Sequence, residues 1–68
     1  MSGLNKQFGE KIRAVRKNRG LSQDKLAELS KIDRSYIGRI DRGEVNITLD
    51  KLYTLADALG CSPCDLLP

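Results

Sequence analysis

Leu4, Phe8, Ile12 and Val15 recur at spacings of four, four and three, which places them on one stripe of a first helix. Gly20 supplies its stop, because glycine takes a left-handed backbone there at low cost. Ser22 then offers an N-cap hydroxyl to a second helix, with Asp24 near the positive end of its dipole and Leu26, Ala27 and Leu29 facing inward. Asp33 caps a third helix that carries Ile37 and Ile40 at i and i+3, runs to about Arg42 and is stopped by Gly43. Thr48 caps a fourth, with Leu52, Leu55, Ala56 and Leu59 on its apolar face and Gly60 beyond it. Ser62-Pro63-Cys64-Asp65 reads as a capping box with proline at the first helical position, opening a short fifth helix.

No stretch alternates as a strand does, and the connections are about two to five residues long, so the pattern predicts a single all-α domain over 1–68. The gap between the second and third helices is the most informative. Lys31 and Ile32 alone separate Ser30 from the Asp33 cap, and two short helices joined so tightly must cross steeply, as in a helix-turn-helix. Ala27 suits that crossing, since a larger side chain would push the two helices apart, and Ile32 and Ile37 anchor the turn and third helix to the core.

Composition narrows the function. A chain of 68 residues forms one domain with a marginal core, which favours a staple, a metal or a partner subunit. It contains no histidine, and no G-x-S-x-G, P-loop or dinucleotide-binding glycine pattern, which argues against an enzyme and against a cofactor. No apolar run approaches the roughly 18 residues of a membrane span, and the start lacks a secretory apolar region, so a soluble cytoplasmic protein with reduced thiols is expected. Cys61 and Cys64 have C-x-x-C spacing, but two thiolates without histidine cannot close a tetrahedral metal site, and no strand precedes them as a redox motif would require. The readings left are a small core hydrophobe at Cys61 and a zinc shared between two subunits. Net charge is +3, unevenly spread: residues 1–20 hold six basic groups against Glu10, while the remainder is slightly acidic. A basic first helix is equally an ordinary solvated face, so charge alone decides nothing.

The stretch Leu21-Ser22-Gln23-Asp24-Lys25-Leu26-Ala27, followed by Asp33-Arg34-Ser35-Tyr36-Ile37 and Ile40-Asp41-Arg42-Gly43, resembles the Cro/C1-type (XRE) helix-turn-helix family of repressors over about residues 8 to 67. With Asn46-Ile47-Thr48-Leu49 added, the pattern is most similar to the controller proteins of restriction–modification systems. The resemblance implies a five-helix, lambda-repressor-like DNA-binding domain with the helix-turn-helix at helices two and three. It implies that Arg34, Ser35, Tyr36 and Arg39 meet base edges and adjacent phosphates, that Gln23 with Ser22, and Asn46 with Thr48, hold the DNA backbone, and that Arg16 and Asp41 form a structural ion pair.

The chemistry of these residue types agrees. Positions 34, 35 and 39 point outward together while 37 and 40 point in, and arginine forks onto the two acceptors of guanine for roughly 1–3 kcal/mol of discrimination. Tyr36 suits a thymine methyl or a phosphate, or alternatively covers the edge of the core. One recognition helix reads few base pairs, so a homodimer on a palindromic operator is expected, with Ile47, Leu49, Tyr53, Leu66 and Leu67 as its interface. The alternative is a protein–protein module, antitoxin-like or adaptor, that keeps the fold without reading DNA. No small-molecule ligand and no membrane partner are expected. Lys31 stands where the family usually has glycine, so a left-handed turn there costs roughly 1 kcal/mol. Glu44, an acid near the proposed phosphate grip, either points away or repels unwanted sites, and Gly38 permits close approach of DNA or of the second helix.

Overall fold

The computed structural model describes residues 2–68. Four α-helices follow in order: α1 (Ser2–Asn18), α2 (Gln23–Ser30), α3 (Arg34–Asp41) and α4 (Leu49–Leu59), with a 3-10 turn over Pro63–Leu66. The helix starts lie where the capping chemistry put them. Side chains of Ser22, Asp33 and Thr48 accept from the backbone N–H of Lys25, Ser35 and Lys51 at 3.0, 3.1 and 3.2 Å, filling donors that a helix start leaves open.

α1 packs on α3, α2 on α3 and α4, and the 3-10 turn closes against α1 and α4. Phe8, Ile12, Leu26, Ile37, Ile40, Leu52, Leu55 and Leu59 interlock as the core, with Ala27, Ile32, Tyr36 and Cys61 half-buried against it. The tightest crossing is at Gly9. A Cβ there would lie 2.6 and 2.7 Å from the carbonyl oxygens of Ile40 and Asp41, so α1 meets the last turn of α3 backbone to backbone. One turn earlier on α1, a Cβ on Gly43 would lie 2.8 Å from Lys6 Cα.

Lys31 takes φ 62° and ψ 20°, the left-handed conformation expected from its place in the turn, and is the one non-glycine among the described residues with positive φ. The hydroxyl of Ser30 accepts from the N–H of Ile32 at 3.3 Å, tying the turn across the strained residue.

Four expectations are corrected. The fifth helix is a single 3-10 turn: Ser62 and Asp65 do form the capping box, but Leu67 is already extended because it precedes Pro68, whose ring disfavours helix at the residue before it. Leu66 is fully buried, held in the core by the packing of that turn on α1 and α4, and is not available to a dimer interface. Leu29 is exposed, because the buried stripe of α2 runs from Leu26 to Ser30 and leaves Leu29 to one side. Leu4 is exposed as well, lying in the part of α1 that precedes its crossing with α3.

Candidate nucleic-acid interface

Ile37 and Ile40 are buried and fix one side of α3 in the core, which leaves Arg34, Ser35 and Arg39 exposed on the other. The expected outward set is thus presented together at the start and middle of the helix. Asp33 organises its first turn. The hydroxyl and the N–H of Ser35 both donate to its carboxylate, and these bonds hold the Asp33 carboxyl below its usual range. Tyr36 is half-buried against the core, with the Lys51 ammonium 5.3 Å from its ring centroid, so the core-edge role is the one its ring fills.

The exposed arginines are braced. Nε of Arg34 donates to Asp24 Oδ1 on α2 at 2.7 Å, across the turn. Nε and Nη2 of Arg42 donate to the two oxygens of Glu44 at 2.8 and 3.3 Å. Glu44 is held below the usual carboxylate range by this hydrogen bond, and Arg42 is raised by it. Glu44 is therefore turned onto Arg42 in the free protein. Such solvent-facing pairs contribute little to stability, so their consequence is orientation.

Beneath the surface, Asp41 joins three elements. Its Oδ2 accepts from Arg16 Nη2 of α1 at 3.1 Å and from Gln23 Nε2 of α2 at 2.7 Å. The expected ion pair is formed, and it is buried: the side chains of Arg16 and Asp41 are 9% and 3% exposed. Arg16 Nη1 also donates to the Leu21 carbonyl at 2.9 Å, and Arg13 Nη1 to the Asp41 carbonyl at 3.3 Å. Arg16 Nε and Asp41 Oδ1 have no hydrogen-bond partner, so the two groups engage through one leg of the fork only.

Gln23 thus has a partner that the sequence did not announce, and its amide keeps a second proton. Ser22 and Thr48 cap α2 and α4 with their side chains, and Asn46 Oδ1 accepts from Asn5 Nδ2 at 2.8 Å, tying the loop before α4 to α1. Asn5 was not singled out from sequence, and neither were the partners that Asp24 and Glu44 take, Arg34 and Arg42.

Cys61 and Cys64 are free thiols; burial pushes the Cys61 thiol up, away from the reactive thiolate. No cluster of three or more potential metal ligands occurs among the described residues, and none of their helices is long and apolar enough to cross a membrane.

The helix-turn-helix family matches residues 12–66 of the chain. Control protein C.SmaI of Serratia marcescens is 47% identical over 60 residues, covering 88% of this chain and 71% of that protein. Control protein C.BamHI of Bacillus amyloliquefaciens is 43% identical over 61 residues, covering 88% and 75%. The crystal structure of the restriction-modification controller protein C.AhdI from Aeromonas hydrophila superposes with a TM-score of 0.90 at 43% identity, over 93% of this chain and 96% of that one. The chain belongs to the helix-turn-helix family of DNA-binding transcription regulators, in its Cro/C1-type branch and alongside the controller proteins.

Proposed function

We propose that this protein binds a palindromic operator as a homodimer, with α3 in the major groove, and regulates transcription in the cytoplasm as the control protein of a restriction–modification system. The observation that carries the reading is the presentation of Arg34, Ser35 and Arg39 on the solvent side of a helix that Ile37 and Ile40 anchor from behind. Arg34 and Arg39 have the donor geometry for guanine O6 and N7, and Ser35 reaches a base or the adjacent phosphate. Tyr36, half-buried against the core, offers its outer edge to a thymine methyl. Gln23 and Ser22 at the start of α2, and Asn46 and Thr48 at the start of α4, grip the backbone on either flank, where helix N–H groups and dipoles favour phosphate.

Dimerisation is supported by three large apolar side chains that the core leaves outside. Leu49 and Tyr53, one turn apart on α4, are 73% and 62% exposed, and Leu67 is 46% exposed. Half-buried Ile47 lies just before them. A dimer that reads a palindrome would need its two recognition helices on one face, about one helical turn of DNA apart.

Selection of bound sites from random duplex DNA tests both parts together. The expected product is a pair of inverted half-sites about 34 Å apart. Enrichment of unpaired half-sites, with a monomer in sedimentation even on DNA, overturns the dimer. Failure of any sequence to be enriched overturns the reading as a sequence-specific regulator.

A further inference from the structure

The braces on Arg34 and Arg42 leave particular donors free. Arg34 gives Nε to Asp24, and Arg42 gives Nε and Nη2 to Glu44. Both Nη atoms of Arg34 and Nη1 of Arg42 are left, and the two Nη1 atoms lie over Gly38: a Cβ built there would meet Arg42 Nη1 at 3.3 Å and Arg34 Nη1 at 3.5 Å, and nothing else within 4 Å beyond its own helix backbone and chain neighbours. Residues 34, 38 and 42 follow one face of α3 at four-residue intervals. Gly38 is the missing side chain between two guanidiniums, and they close over it. α2 is therefore not what its smallness admits in the free protein; the two arginine heads are.

We infer that Arg34, Gly38 and Arg42 form a two-guanidinium site that reads a guanine edge of the operator, with Asp24 and Glu44 as positioning residues. This extends the DNA-reading role of α3 proposed above and rests on it. The charges favour a base over a phosphate. Two carboxylates stand against the two arginines, so the cluster is close to neutral and draws little affinity from displaced counterions. What remains is direction: fixed N–H groups aimed at one place, which suits the paired acceptors O6 and N7. Arg42 thereby joins the specificity residues, although it is the C-cap of α3 and lies two turns from Arg34.

The test compares the selected operator, the same duplex with each guanine replaced in turn, and random-sequence duplex. Gly38→Ala is the informative variant, because alanine favours the helix and its Cβ meets only the flexible ends of two side chains. Its melting temperature should not fall, yet its preference for guanine at the contacted pair should drop about tenfold relative to random DNA, as should that of Arg42→Ala. Asp24→Asn, which keeps an oxygen for Arg34 Nε, should retain more of the preference than Asp24→Ala. A uniform loss of affinity in Arg42→Ala, with the salt slope reduced by about one, marks a phosphate contact and overturns the inference. So does an unchanged guanine preference in Gly38→Ala. If Arg34→Ala also leaves the preference unchanged, the DNA-reading role of α3 fails; if Arg34→Ala alone abolishes it, only the paired site fails.

Discussion

Gly9→Ala and Gly38→Ala are the same substitution in two helix interiors, and the structure assigns them opposite signs. Helix propensity alone favours alanine by about 1 kcal/mol at each position. At Gly38 the added methyl meets two guanidinium nitrogens at 3.3 and 3.5 Å, both at the ends of flexible side chains that can give way. At Gly9 it meets the carbonyl oxygens of Ile40 and Asp41 at 2.6 and 2.7 Å, and these belong to the last turn of a helix. Relief there requires α1 to lift off α3 as a body. Overpacking of this kind costs about 1–3 kcal/mol, and at so short a contact the upper part of that range applies, leaving Gly9→Ala about 1–2 kcal/mol less stable after the propensity gain. In a domain of this size that lowers the melting temperature by about 5–15 °C, while Gly38→Ala raises it by a few degrees. Circular dichroism melts of the two variants beside the parent, with urea midpoints to check the order, measure both. A Gly9→Ala protein as stable as the parent refutes the backbone-to-backbone crossing, and with it the account of how α3 is held at its C-terminal end.

Asp41→Ala removes one partner of a buried pair and strands Arg16, so it should cost about 3–5 kcal/mol and leave the chain largely unfolded by urea titration; a loss below about 1 kcal/mol contradicts the buried network. Lys31→Gly relieves the left-handed turn and should stabilise the fold by roughly 1 kcal/mol in the same assay, with a drop instead showing that lysine contributes something its geometry does not reveal. Asp33 has a carboxyl depressed in the folded state, chiefly by the Ser35 hydroxyl and N–H, so its stabilisation is present above the unfolded value near 3.8 and is lost as pH falls through the folded value. Urea midpoints followed into that acid range should therefore fall less steeply for Asp33→Asn than for the parent.

What the sequence disclosed follows from how local each device is. The caps at Ser22, Asp33 and Thr48 act within three residues of themselves, and each could be read from its neighbours alone. Lys31 belongs to the same class, since a two-residue turn dictates its backbone. The identity of the Arg16–Asp41 pair came from family resemblance, and its burial could not, because that depends on α1 crossing α3 at Gly9. Leu66 was placed on the surface because a single turn has no pattern of its own, and only packing on α1 and α4 turns it inward. Leu29 failed for a related reason: eight residues are too few to fix the phase of a helical stripe. The braces of Arg34 and the Gln23–Asp41 bond join residues far apart in the chain, and no spacing rule announces them.

The oxygen of Asp41 that receives both Arg16 and Gln23 also bears on how such a protein can change its target. On the function proposed above, residues 34, 35 and 39 lie outside that network, so new operators would be reachable by small steps on the exposed side of α3. Residues 16 and 41 are not separable in this way, because altering either leaves the other's charge unpaired in the interior, and Gln23 is a second donor to the same oxygen. A recognition helix transplanted from a relative brings its own residue at position 41, and that residue must find acceptable companions on α1 and α2 already in place. On that reading, specificity would be portable as a handful of outward side chains, whereas the helix beneath them is inherited together with its neighbours.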